Sequence, residues 1–448
     1  MPYRLFGAET SAYSTKMRSY LTYKSVAFDW VPRTQESEDE IKRVSRFATL
    51  PVLVTDSGYA VHDTTPLIEA LEADQPEPSA TPADPSLGFL ACVLEEYADS
   101  WLAKAVFHYR WGRKKDQKIA AQRAIDEYYT QSPPDDRKAS EDRAIETMTG
   151  QLKLMQVDGD LGDVVEKSFK KFVKLLDDHL RKHLFIFGDR PSIADFAIAG
   201  QLIQMLKDPT PAKIIEKDGE FVAKWCEFMS APTASGPFAA FDDLKETLAP
   251  IFADDMAAFF LPWAAENLES SLASAETFSV TLGKETLTLV PLRSAARSFR
   301  ELRRKFVTGQ AVEALKAFTD AAGATAFLQR PQRQDMAPVF ASAADDADDG
   351  ASAGEVSADG EAPAAAREDG EGVRRKRRRR RGGRSRGEGA EAGSEAGEDS
   401  PGEDASGEES SGEISVADAA EDQVSVVSES SEADDAPAGD EPPTDDRI

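Results

Sequence analysis

Cysteine is nearly absent. Cys92 and Cys226 are the only two in 448 residues, and they are far apart, with no C-x-x-C spacing and no histidine partners, which excludes a disulfide framework and a conventional zinc site. Each reads as a small apolar residue within a helix. No apolar run approaches the roughly 20 residues that cross a bilayer, and the N-terminus lacks a charged segment leading into an apolar one. The expectation is a soluble, cytoplasmic protein with no membrane contact and no metal. Aromatics almost vanish beyond Phe340, where about 31 acidic residues face about 12 basic ones. That stretch carries about −19 of the chain's net −28, so the remainder is only mildly acidic.

What is present begins with Tyr3 to Arg18, YRLFGAETSAYSTKMR. Tyr3, Leu5 and Phe6 suit a buried strand, Ala8 to Tyr13 a hydroxyl-rich loop, and Ser14 or Thr15 the start of a helix through Met17, Tyr20 and Leu21. Amides at a helix start lack intrahelical partners and carry about half a positive charge, so this bend is suited to an anion. Val26 to Val31 alternates as a second strand, and Glu36 to Phe47 reads as a charged helix. Pro51 to Val54 and Tyr59 to Val61 form a hairpin around Thr-Asp-Ser-Gly. Asp63-Thr64 caps a helix from Pro66 to Ala73. The order βαβ, α, ββ, α over residues 1–76 matches a thioredoxin-like domain, and Leu50-Pro51 stands where that fold places a cis peptide bond.

Residues 77–86 form a proline-punctuated linker. Residues 87–250 are nearly all helical, with long amphipathic stretches at Leu87 to Arg110 and Val164 to His183 and a break at Gln131 to Ala139. Within GDRPSIADFAIAGQL, Ser192 and Asp195 form a capping box, with Pro191 and Phe196 at the staple positions, which predicts a core helix. Residues 251–329 add an aromatic-rich helix, a hairpin (Phe278 to Leu282, Thr286 to Val290) and a basic helix from Ser294. Residues 330–448 are low-complexity, interrupted by RRKRRRRRGGRSR at Arg374 to Arg386.

The motifs S-x-Y-S-x-K-M-R, L-P-V-L, H-D-T-T and G-D-R-P-S-I-A-D-F, in that order, make residues 1–250 resemble the glutathione S-transferase superfamily. The resemblance implies an α/β thioredoxin-like domain followed by an all-α domain, with a small α+β appendage and a disordered tail added here. It implies glutathione as co-substrate, a small electrophile as the other substrate, and a homodimer. Ser11 then matches the residue that stabilises the thiolate, with Thr10, Tyr13 and Ser14 as rivals within one turn of chain and a plain turn former as the alternative. Leu50 and Pro51 pair with the cysteinyl backbone, while Asp63 and Thr64 receive the γ-glutamyl end. Arg33, Lys42 and Arg43 are near enough in sequence to hold the glycyl carboxylate. Tyr13, Tyr97, Trp101 and His108 are the candidate walls for the electrophile.

The alternative is a non-catalytic adaptor on the same scaffold. In that reading Arg374 to Arg386 makes weak, salt-sensitive contacts with nucleic acid through counterion release, or binds a protein partner.

Overall fold

A four-stranded sheet sets the position of every residue implicated at the N-terminal end. In the computed structural model, which describes residues 3–45, 49–55, 57–233, 236–309 and 312–329, the first elements are β1 (Tyr3–Gly7), α1 (Ala12–Tyr23), β2 (Phe28–Pro32) and α2 (Glu38–Val44), followed by β3 (Val52–Val54), β4 (Ala60–Val61) and α3 (Thr64–Asp74). The strand order is β2-β1-β3-β4. β1 runs parallel to β2, while β3 is antiparallel to both β1 and β4, with Phe6 opposite Val52 and Leu53 opposite Val61. That register brings the end of β1, the start of β3 and the end of β4 to one edge. Leu50-Pro51 is cis, as expected, and so is Glu77-Pro78, which the sequence did not signal.

The first helix starts earlier than the sequence suggests. Ser11 is itself the N-cap, accepting a hydrogen bond from the Ser14 amide at 3.2 Å. A serine in that role satisfies an otherwise orphaned donor, so Ala12 is already helical. The charged helix is shorter than expected, ending at Val44; Phe47 lies outside the described residues.

The second part is a helical layer. Asp84 caps α4 (Pro85–Glu96) by accepting from the Ser86 and Leu87 amides; a π-helical segment (Tyr97–Leu102) follows, then α5 (Ala103–Gly112). Next come α6 (Lys114–Tyr128), α7 (Arg137–Leu154), α8 (Asp160–Leu180), α9 (Ile193–Leu206), α10 (Pro209–Asp218) and α11 (Glu220–Phe228). The capping box forms as read: Asp195 accepts from the Ser192 amide at 2.8 Å, and its other oxygen accepts from the Ile186 amide at 2.9 Å. α9 is buried against α1. A Cβ on Gly200 would lie 2.6 Å from the Ala12 carbonyl oxygen, so the helices meet backbone to backbone there. Gly200→Ala is expected to lower the thermal midpoint by several degrees, checked by a melting curve, because the clash is with backbone that cannot turn aside.

Beyond residue 240 the chain continues to pack. α12 (Phe241–Pro250), a π-helical segment (Ile251–Phe260) and α13 (Leu261–Leu272) follow one another directly, and the π-helical hydrogen bonding begins just after the proline that would otherwise interrupt the ladder. This 32-residue stretch holds no uninterrupted apolar run of spanning length, since Asp254, Asp255 and Glu266 break it. It has the length and composition to cross a membrane, but 67% of its most apolar window is buried inside the protein. The hairpin is β5 (Phe278–Leu282) with β6 (Glu285–Leu289), and α14 (Arg293–Gly309), α15 (Glu313–Ala321) and α16 (Thr325–Leu328) complete it. α14 lies on α4, with the Phe89 and Phe306 rings 5.1 Å apart. One apolar core runs from Leu5 to Leu328. The chain is thus a thioredoxin-like α/β domain followed by an all-helical domain, with the later segment packed onto it. The arginine tract and the rest of the tail lie outside the described residues.

Asp255, in the second π-helical segment, is fully buried; Oδ1 accepts from the Ser168 hydroxyl at 2.7 Å and Oδ2 has no hydrogen-bond partner among the described residues. Burial pushes its carboxyl up to about 7. A carboxyl raised on folding binds its proton in the folded state, so this contribution is complete below about pH 4 and is lost as pH rises to 7. Asp255→Asn should therefore gain stability relative to the parent between pH 5 and pH 8, measured by urea unfolding at both.

Candidate functional site

Three loops meet at the sheet edge defined above. Ser11 comes from the end of β1, cis Leu50-Pro51 from the start of β3, and Asp63 with Thr64 from the end of β4. Ser11 is 4% exposed; its Oγ accepts from Ser14, and no acceptor for its own proton is found among the described residues. Of the rival hydroxyls, Tyr13 already donates to the Asp99 carbonyl oxygen at 2.8 Å, and Ser14 Oγ accepts from the Ala8 amide at 3.1 Å. Burial, reinforced by Asp99, keeps Tyr13 firmly protonated. The loop amides of Glu9 and Thr10 donate to the Glu127 carboxylate from α6. No local pattern in the sequence singles out Glu127.

Asp63 holds a positive φ of 68° and caps α3, accepting from the Thr65 amide at 3.2 Å. With ψ at 122° its backbone lies outside the left-handed helical region, an uncommon conformation for a residue with a side chain. Burial raises its carboxyl, with Lys16 opposing the shift. Arg33 is committed to Glu38 through two hydrogen bonds of 2.9 and 3.0 Å, Lys42 lies 3.8 Å from the same Glu38 carboxylate, and Arg43 donates to the Asp39 carbonyl oxygen.

A cavity of about 200 Å³ opens beside this edge. Tyr13, Asp63 and Thr65 line one side, Glu95, Glu96, Asp99, Ser100 and Lys104 a second, and α14 closes a third with Arg297, Ser298 and Lys305. Ser298 donates to Glu96, and Lys305 to Glu69 at 2.6 Å. Behind the wall, Lys16 of α1 is 1% exposed and bridges Glu95 at 2.8 Å and Asp99 at 2.7 Å. Burial works against the Lys16 charge, yet those two carboxylates hold its proton more tightly than in water. The lysine of S-x-K-M-R and the Glu95, Glu96, Asp99 spacing were both visible in the sequence. What was missing was the contact between α1 and α4.

The aromatic wall is corrected. Tyr97 and Trp101 are in the core, Tyr97 against Phe172 at 4.9 Å and Trp101 donating through Nε1 to Ser168 at 2.9 Å. His108 Nδ1 lies 3.0 Å from the Val157 carbonyl oxygen. None of the three lines the cavity, because their face of the helix is turned toward α8. Tyr13 alone of the four remains on the wall. Among the described residues no cluster of three or more histidine, cysteine or acidic side chains is arranged to hold a metal.

Comparison with known proteins gives two family models, the glutathione S-transferase N-terminal domain over residues 5–79 and the glutathione S-transferase C-terminal domain over residues 137–228. No curated protein matches the chain. Among solved structures, it is similar to a GST-like protein from Pseudomonas syringae (20% identity, 51% of this chain, 66% of that one, TM-score 0.34). It is also similar to the beta-etherase LigF from Sphingobium sp. strain SYK-6 (20%, 55% and 99%, 0.37). A third is a glutathione S-transferase from Methylobacterium radiotolerans in complex with glutathione sulfonate (19%, 54% and 99%, 0.30). Likenesses this distant carry no inference about activity. The two matched domains stand in the family's order on one chain, and by them residues 5–79 and 137–228 belong to the glutathione S-transferase superfamily.

Proposed function

We propose that the protein is a glutathione transferase of the cytoplasm that joins the glutathione thiolate to a small electrophile, with Ser11 as the thiolate-stabilising residue. The observation that carries this reading is the convergence of Ser11, Leu50-Pro51 and Asp63-Thr64 on one sheet edge. In this reading the Ser11 proton points at the sulfur while its Oγ stays tied to the Ser14 amide, so the first turn of α1 and the hydroxyl act together. A free thiol ionises near pH 8.5, and a two-unit lowering is worth about 2.7 kcal/mol. One hydroxyl hydrogen bond to an anion plus a helix start provides energy of that order.

The remaining contacts follow from backbone and charge. Leu50 offers its backbone to the cysteinyl amide as a strand-like contact. Asp63 faces the γ-glutamyl ammonium, and Thr64, at the first turn of α3, its carboxylate. The electrophile then approaches from the side of Tyr13. The test is calorimetric titration of the full chain with glutathione, then conjugation of a general aromatic halide. Saturable binding below millimolar together with turnover supports the reading, and no heat at several millimolar removes it. Asp63→Ala is expected to weaken binding about 10-fold, read in the same titration, since one charge-assisted contact of about 1.5 kcal/mol is lost.

A further inference from the structure

The helix that runs from α4 through its π-helical segment into α5 places Glu96, Ser100 and Lys104 four residues apart. That spacing puts them on one face, and all three line the cavity. Ser100 donates to Glu96 Oε1 at 2.5 Å. Lys104 is 1% exposed; its Nζ donates to the Met155 carbonyl oxygen at 3.1 Å and lies 4.9 Å from the centre of the Trp263 ring. Among the described residues no carboxylate is within ion-pair distance of it. The contrast with Lys16, equally buried but held between two carboxylates, is what marks Lys104 out.

A buried ammonium without a counter-ion is disfavoured, and burial pushes the Lys104 amine down to about 7. Burial also pushes the Glu96 carboxyl up to about 7, against hydrogen bonds from Ser100 and Ser298. Around these two stand Asp63, Glu69, Asp99, Arg297, Glu301 and Lys305. Near neutral pH each group is therefore uncharged for part of the time, so that an amine and a carboxylic acid are both available in one chamber. A neutral amine attacks carbonyl carbon, and an acid is needed to expel the oxygen as water.

We propose that Lys104 is a carbonyl-reactive amine and that this cavity captures small aldehydes on it. The Nζ lone pair forms the new C–N bond, and a proton passes from nitrogen to the former carbonyl oxygen, giving a carbinolamine. Glu96, relayed by Ser100, then protonates that hydroxyl; the C–O bond breaks, water leaves, and an iminium on Lys104 remains opposite the Glu96 carboxylate. No electrons change hands and no co-reactant is needed. At about 200 Å³ the chamber admits an aldehyde of a few carbons, since one water occupies about 30 Å³ in the liquid. The proposal is independent of glutathione binding.

The experiment is reductive trapping on the full chain at pH 7 with acetaldehyde and cyanoborohydride, following each lysine by peptide mass mapping over time. Lys104 is expected to be ethylated at least 10-fold faster than the exposed Lys138 and Lys224. In Glu96→Gln that advantage should fall at least 5-fold while the two exposed lysines keep their rates. A Lys104 rate at or below theirs in the parent protein overturns the proposal, and an unchanged advantage in Glu96→Gln overturns the role given to Glu96. Because the main reading is made on the parent chain, it does not depend on a variant folding.

Discussion

Ser11→Ala is expected to lower turnover of glutathione conjugation by about 100-fold while changing glutathione affinity no more than a few-fold. In the proposed reading the substitution removes a hydroxyl donor aimed at developing negative charge on sulfur, and loss of a single preorganised donor typically costs about 10²–10³ in rate. It also removes the cap of α1, for which about 1 kcal/mol of stability is the ordinary cost. The two effects separate in Ser11→Thr, which retains a hydroxyl able both to cap and to donate and should recover most of the activity. Steady-state kinetics and a melting curve on the three proteins decide it. Equal turnover in parent and Ser11→Ala contradicts the assignment, and one of the neighbouring hydroxyls would take the role.

Lys16→Met is expected to be among the most destabilising single substitutions in the chain, at about 3–5 kcal/mol. The ammonium is buried between Glu95 and Asp99, and without it two carboxylates remain in a low-dielectric wall with no counter-charge. Even with Lys16 present, burial pushes Asp99 up to about 6. Loss of the lysine raises Asp99 further, so the folded variant takes up a proton that the unfolded chain does not. Its deficit should therefore shrink as pH falls from 8 to 5 and widen as pH rises. Urea unfolding at the two pH values measures this, and adding Asp99→Asn should restore part of the loss. A deficit below 1 kcal/mol at pH 8 would mean that the triad does not hold the two domains as described.

The particular residues show where sequence reasoning reached and where it stopped. The order of elements along residues 1–76, the cis Leu50-Pro51 bond and the Ser192-Asp195 box are legible because each depends on residues close in the chain. Ser11 stands out in the sequence for its hydroxyl but not as the N-cap: Ser14 and Thr15 are equally good caps by composition, and only the amide geometry distinguishes them. Tyr97 and Trp101 read as a binding wall because aromatic spacing marks a face without saying what it meets. Here it meets Phe172 and Ser168. The acidic wall went unread for the same reason, since Lys16 is 79 residues from Glu95 and 83 from Asp99. Long-range pairing also explains α14, which reads in the sequence only as a basic helix and brings Ser298 and Lys305 onto the cavity rim.

Ionisation of the thiol in bound glutathione is the most direct probe of the site. Thiolate absorbance in the ultraviolet, followed against pH for glutathione saturating the full chain, should rise with a midpoint about two units below that of free glutathione, and the Ser11→Ala midpoint should return most of the way to the free value. A midpoint equal to that of free glutathione in the parent protein would contradict the account.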